Sequence, residues 1–354
     1  MHHSSRQPSR WRRVLLMLVA LLLMVPALVI SFHSFIPGAA AQSAAVQHGA
    51  PIVSHAVKHD VSPPLRTLRG VHTPKATGET ADQDRFHHLP LIQQGASNGL
   101  RATVQHTTTP NAAPSPSNNF DGVGNGFSGP QGTFTVNSAP PDTNGAVGPQ
   151  DYVQTVNTDF AIFNKDATRG TVGSVRYGPV QINTLWSGFG GLCQTDNDGD
   201  PVVVYDSIAN RWVISQFAVT SPNPNYYQCV AVSTTSDPTG TYNRYSFSYT
   251  NFPDYPKFGL WPDAYYATFN LFNGNTFVGA QVCAYDRTSM LSGAAATQQC
   301  FTTSSSFGGL LPSTLDGSTQ PPSGSPNYIL GLNTTTSLAF WKFHVDWATP
   351  GNST

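Results

Sequence analysis

The sequence predicts an all-β fold made of antiparallel, β-propeller-like blades, and three observations carry that expectation. Only 10% of the 354 residues are Asp, Glu, Lys or Arg, where roughly 25% is usual, so polarity rests on hydroxyls and amides. Gly (31) and Pro (28) are abundant turn formers. From about Asn119 onward, short β-type runs alternate with Gly, Pro, Asn and Asp at intervals of about ten residues. The clearest unit is Asp196 to Phe217, DNDGDPVVVYDSIANRWVISQF, in which an acidic loop enters an apolar strand, turns through SIAN and returns.

Taken in order, Gly132 to Val136 is the first strand, and PPDTNGAVGPQ (140–150) reads as a long turn. Tyr152–Thr155, Phe160–Phe163 and Val175–Ile182 complete a first unit. Val202–Tyr205, Arg211–Val219, Gln228–Ser233 and Tyr242–Tyr249 give four strands in about 50 residues, the complement of one propeller blade. A third unit opens with PDAYYATFN (262–270), turns at Gly274-Asn275 and continues through Thr276–Tyr285 and Thr297–Thr303. A fourth comprises PNYILGLN (326–333) and Ser337–Trp347, where Trp341, Phe343, Val345 and Trp347 alternate with Lys342, His344 and Asp346. The unit heads are then Asp151-Tyr152, Asp200-Pro201, Pro262-Asp263 and Pro326-Asn327, spaced by 49, 62 and 64 residues. The final strand ends in ATPGNST with no partner, which suggests an incomplete propeller at the N-terminal part of a longer protein. The alternative packing is a β-sandwich.

The N-terminus reads as a targeting segment. Arg6, Arg10, Arg12 and Arg13 precede an apolar run from Val14 to Phe32, and Ala39-Ala40-Ala41 supplies a small-residue exit. Residues 1–41 are therefore a signal peptide cleaved after Ala41, or a retained signal anchor with a transmembrane helix. Either places the remainder outside the cytoplasm, secreted or at the cell surface, with the membrane touched only through this segment. Residues 42–354 carry 14 basic and 19 acidic side chains, a net charge of −5 that argues against a nucleic-acid partner. Residues 42–118 lack periodicity and read as a disordered spacer, leaving 119–354 as the folded domain.

Few residue types remain for chemistry. Four cysteines in an exported chain imply two disulfides, and pairing Cys193 with Cys229 and Cys283 with Cys300 would staple one blade each. Ten of the eleven histidines lie at or before His106, so a Ser-His-Asp or Cys-His site would need His344. The folded part holds 15 Asp and no Glu, which leaves paired-carboxylate glycoside hydrolysis open to Asp alone. Asp196, Asp198 and Asp200 place oxygens at alternate positions and form the candidate Ca²⁺ loop, although the EF-hand spacing is not met. Tyr255, Trp261 and Tyr265, with Phe258, are the aromatic candidates for stacking on sugar rings, against a core-packing alternative.

The segments PPDTNGAVGPQDYVQTVN, GDPVVVYDSIANRWVISQF, DYPKFGLWPDAYYATFN and SPNYILGLN…FWKFHVDW resemble an uncharacterised family of exported bacterial proteins over residues 130–350. The resemblance implies a secreted propeller-like domain and carries no catalytic residues. Members are loosely labelled sialidase-like. Arg176, Arg211, Arg244 and Arg287 are available for such a site, but the Glu that activates the sialidase tyrosine is missing. The expected function is an extracellular binding module for a glycan or surface protein. The alternatives are a glycoside hydrolase using Asp carboxylates and a structural envelope protein.

Overall fold

The computed structural model describes residues 49–70, 115–116, 118–136, 138–220, 225–317 and 319–354. The signal segment and residues 42–48, 71–114 and 117 of the proposed spacer lie outside them. Strands are β1 (Ile52–His55), β2 (Lys58–Val61), β3 (Ser128–Gly129), β4 (Gly132–Thr133), β5 (Asn144–Val147), β6 (Asp151–Val156) and β7 (Asp159–Asn164). They continue with β8 (Val175–Gln181), β9 (Gly199–Asp206), β10 (Arg211–Val219), β11 (Tyr226–Ser233), β12 (Tyr242–Tyr249) and β13 (Phe252–Leu260). The last six are β14 (Tyr265–Asn273), β15 (Thr276–Tyr285), β16 (Thr297–Thr302), β17 (Leu311–Pro312), β18 (Asn327–Thr334) and β19 (Ser337–Phe343).

These strands form the expected propeller-like set of antiparallel sheets. Blade 1 is β5-β6-β7-β8, blade 2 runs β9 to β12, blade 3 runs β13 to β16, and blade 4 is β17-β18-β19. Each is a meander, because short Asn/Gly/Asp turns can only return a strand to its neighbour. The turn after β9 shows the mechanism: Asp206 Oδ1 accepts from the N–H groups of Ile208 (3.0 Å) and Ala209 (2.8 Å), and Asn210 takes a left-handed φ of 55°.

Buried apolar residues lie in the seams between blades. Phe160, Ile162, Tyr177 and Trp186 meet Trp212, Ile214 and Cys229 between blades 1 and 2. Val230, Val232, Tyr245 and Phe247 meet Tyr265, Phe269 and Cys283 in the next seam, and Tyr266 and Val282 meet Ile329, Trp341 and Phe343 in the third. Strands here are buried on both faces, which explains their near-continuous apolar runs. Blade 4 differs. Ala339, Trp341 and Phe343 face inward, whereas Leu330, Leu332, Leu338 and Phe340 on its other face are 38–54% exposed.

Several sequence expectations change. Residues 52–61, placed in the spacer, are strands: β1 pairs with β16 and β2 with β12, so one strap covers the outer edges of blades 3 and 2. Its anchor is Asp60, which accepts from Arg244 Nε (2.8 Å) and Nη2 (2.7 Å) across the β2–β12 pair. The chain end is also partnered, since His344 and Thr354 exchange both backbone hydrogen bonds and Ser353 Oγ donates to Gln299. Unit heads shift as well. PDAYYATFN and PNYILGLN are second strands, and the innermost strands before them are β13 and β17. Likewise β5 runs through the segment read as a long turn. Innermost strands are sheet edges, where Pro is tolerated, so their Pro and Gly content masks them.

Both disulfides pair as expected. Cys193–Cys229 ties the loop before β9 to β11, and Cys283–Cys300 joins directly opposed residues of β15 and β16. Among the described residues no helix is long and apolar enough to cross a membrane.

Candidate functional site

The four innermost strands line one central cavity of about 600 Å³, with Ala146 on β5, Val202 and Tyr205 on β9, Lys257 and Phe258 on β13 and Leu311 on β17. At the end where β5, β9 and β13 begin, beyond the cavity lining itself, Asp142, Asp200 and Asp254 from three blades come within electrostatic reach of one another. All three are half-buried.

Local backbone chemistry puts them there. Asp142 and Asp200 hold left-handed φ values of 37° and 41°, and Tyr255, beside the third aspartate, holds 55°. Such conformations cost energy in non-glycine residues and persist only where neighbours enforce them. Asn157, 3% exposed in the β6–β7 turn, is the enforcing neighbour for two of them. Its Nδ2 donates to Asp142 Oδ2 (2.8 Å) and to the Pro140 carbonyl (3.2 Å), while its Oδ1 accepts from the Asp200 N–H (3.1 Å). The adjoining Gly199, at φ 122°, cannot be replaced freely, since a Cβ would lie 2.2 Å from that same Oδ1. On the third strand, a register shift between Asp254 and Lys257 turns Lys257 toward the group.

The electrostatics follow from three carboxyls and one ammonium in partial burial. The Asp142 and Asp200 carboxyls couple electrostatically, and Asp254 adds a third charge nearby. Burial, then the charges of Asp254 and Asp142, push the Asp200 carboxyl well above the usual range. Asp142 is raised mainly by burial, and its contact with Asp200 opposes the rise. Lys257 is lowered by burial against the pull of the three acids. Its Nζ also lies 3.6 Å from the centre of the Tyr255 ring. The arrangement can hold a proton donor and an ionised carboxylate side by side at a cavity mouth.

The acidic loop divides. Of Asp196, Asp198 and Asp200, only Asp200 reaches this mouth, while Asp198 Oδ2 accepts from the Val219 N–H (2.8 Å) and Asp196 Oδ2 accepts from Thr195 (3.4 Å). Among the described residues no three His, Cys, Asp or Glu side chains are grouped to hold a metal ion. Of the aromatic candidates, Tyr255 is 44% exposed at the mouth, but Trp261 (5%) and Tyr265 (1%) are core. Trp261 Nε1 donates to the Ser325 carbonyl (3.0 Å), and Tyr265 Oη donates to Asp206 (2.8 Å), so neither offers a ring face to a sugar. The four arginines also serve the fold. Arg176 pairs with Asp151 and Asp237, Arg244 with Asp60 and Arg287 with Asp206, and Arg211 donates to the carbonyls of Ala209 and Asn210.

Asp254, Asn157 and Lys257 were not singled out by sequence reasoning, and Asp142 stood out only as the head of Asp142-Thr-Asn144-Gly, a shorter relative of the acidic loop. A signal does exist: each mouth aspartate adjoins a proline, in Pro141-Asp142, Asp200-Pro201 and Pro253-Asp254, at spacings of 58 and 54 residues.

No family model and no curated protein matches the chain. Among solved structures it is similar to two variants of an exo-β-1,3-galactanase from Phanerochaete chrysosporium, each with β-1,3-galactotriose. Identities are 13% and 12%, the TM-score is 0.34 for both, and 63% of this chain is covered. The match covers 53% of each galactanase chain, about half the length of those structures.

Proposed function

We propose that the acidic mouth hydrolyses glycosidic bonds of an extracellular glycan. The observation that supports this most is the convergence of Asp142, Asp200 and Asp254 from three blades, where burial and the neighbouring charges raise the Asp200 carboxyl. Glycoside hydrolysis needs one protonated carboxyl to donate to the leaving oxygen and one carboxylate to activate water or meet the developing positive charge. In this reading Asp200, raised by burial, is the proton donor and Asp142 its coupled neighbour. Asp254 supplies the second carboxylate. Burial raises Asp200 as a general acid working near neutral pH requires, and Asn157 fixes Asp142 relative to the Asp200 backbone. Tyr255 stands at the rim as a stacking surface. Two disulfides suit an oxidising, extracellular compartment.

The test is turnover of a panel of aryl glycosides and oligosaccharides, β-1,3-linked galactose oligomers included, by the full chain. Asp200→Asn and Asp254→Asn should each lower turnover by about 10²-fold or more, the scale of general acid–base catalysis, while circular dichroism stays unchanged. Turnover that survives both substitutions would sink the proposal. Saturable glycan binding without turnover would instead support the binding module.

A further inference from the structure

A second cavity, of about 350 Å³, lies on blade 2 away from the central one. Its chemistry is set by the β2–β12 pairing. Lys58 and Ser246 are direct partners in the register, so their side chains stand on one face of the sheet. Opposite them runs the loop Phe189–Cys193, and the Cys193–Cys229 disulfide forms part of the lining. Tyr227 closes one side.

Among the described residues, three polar groups of the lining lack a partner, whereas Thr220 and Asn225, also in the lining, hydrogen-bond each other. Ser246 is 95% buried by its residue surface (5% exposed), lines the cavity and makes no side-chain hydrogen bond. The Tyr227 hydroxyl, also lining, makes none. Among the described residues the Lys58 ammonium has no carboxylate partner, and it rests 5.1 Å from the centre of the Phe189 ring. The neighbouring guanidinium is already committed, since Arg244 binds Asp60 and donates to the carbonyls of Leu185 (3.0 Å) and Ser187 (2.9 Å). No acidic side chain lines the cavity. Gly190, at φ 77°, leaves room for the ammonium, because a Cβ there would lie 3.2 Å from Lys58 Nζ.

We infer that this cavity is a binding site for a carboxylate-bearing saccharide, a uronic acid unit of one or two rings. One free ammonium matches a single negative charge, whereas a phosphate dianion would call on a second cation that is not free. The two unpartnered hydroxyls and the Tyr227 ring suit a polyhydroxylated ring better than a simple aliphatic acid. The site does not depend on the acidic mouth, and it is complete only when the β2 strand is docked.

The experiment is calorimetric titration of the full chain with digalacturonate and, separately, with neutral digalactose. Digalacturonate should bind saturably and digalactose at least about tenfold more weakly, since a charge-assisted hydrogen bond contributes on that scale. Lys58→Met should weaken digalacturonate about tenfold or more, Lys58→Arg should keep most of the affinity, and Gly190→Ala should weaken it. Asp200→Asn should leave the titration unchanged, which separates this site from the mouth. Equal affinity for the two sugars, no binding of digalacturonate, or an unaffected Lys58→Met variant would overturn the assignment.

Discussion

Replacing Asp60 by Ala removes the carboxylate that holds the N-terminal strap and leaves the Arg244 guanidinium in place. That side chain is 2% exposed, against 32% for Asp60. Removing one partner of a buried pair costs about 3–5 kcal/mol, because the other charge stays buried and unpaired. Two features reduce the figure here. Arg244 keeps its bonds to the Leu185 and Ser187 carbonyls, and the partial exposure of Asp60 lets water take the vacated position. About 2–3 kcal/mol remains, which for a domain of this size lowers the melting temperature by roughly 5–10 °C. Thermal unfolding followed by circular dichroism measures it. Asp60→Leu combined with Arg244→Met should recover most of the loss, because apolar replacements of a buried pair are often neutral. A melting point within about 1 °C of the unmodified chain for Asp60→Ala would refute the reasoning, since a buried guanidinium cannot lose its carboxylate at no cost.

Three further outcomes are expected. Gly199→Ala should destabilise by about 1–3 kcal/mol through its φ of 122° and the Asn157 contact, and should lower glycoside turnover further than the melting point alone accounts for; unchanged turnover would detach Asn157 from the site. Because Asp200 is raised in the folded state, folding retains a proton that the unfolded chain releases above its ordinary value. The contribution of Asp200 to stability should thus be greatest on the acid side and be lost as pH rises through the raised value, so urea unfolding of Asp200→Asn should lack that loss relative to the unmodified chain. The exposed row of Leu330, Leu332, Leu338 and Phe340 on blade 4 is an adhesive face, so Leu332→Thr with Phe340→Thr should reduce concentration-dependent light scattering without lowering the melting point.

Blade 2 was legible almost strand by strand, because Val202–Tyr205 and Arg211–Val219 are apolar runs joined by an Asx turn that local chemistry dictates. Both disulfides were legible too, since the partners of each lie close in sequence, 36 and 17 residues apart. The innermost strands were not. β5 contains Gly145 and follows two prolines, and β13 contains Pro253 and Pro256, so composition alone reads both as turns. β1 and β2 are four residues each and carry His, Lys and Asp; only their partners make them strands. The site was half visible. Asp200 stood out for its acidic neighbours, but its working partners are 58 residues before it and 54 after, and blade packing alone brings the three together.

The strap has a consequence for how the chain leaves the ribosome. Asp60 meets Arg244 across 184 residues, and Ser54 meets Gln298 across 244. A contact that distant costs little extra in loop closure, because the penalty grows only logarithmically with length. Its order of synthesis matters more. At about 5–20 residues per second, β2 has existed for on the order of ten seconds or more when β12 emerges. The unpaired edge of blade 2, and later that of blade 3, thus meets its covering strand as soon as it forms. Carried at the other end of the chain, the same strap would leave both edges open through the most aggregation-prone stage of synthesis.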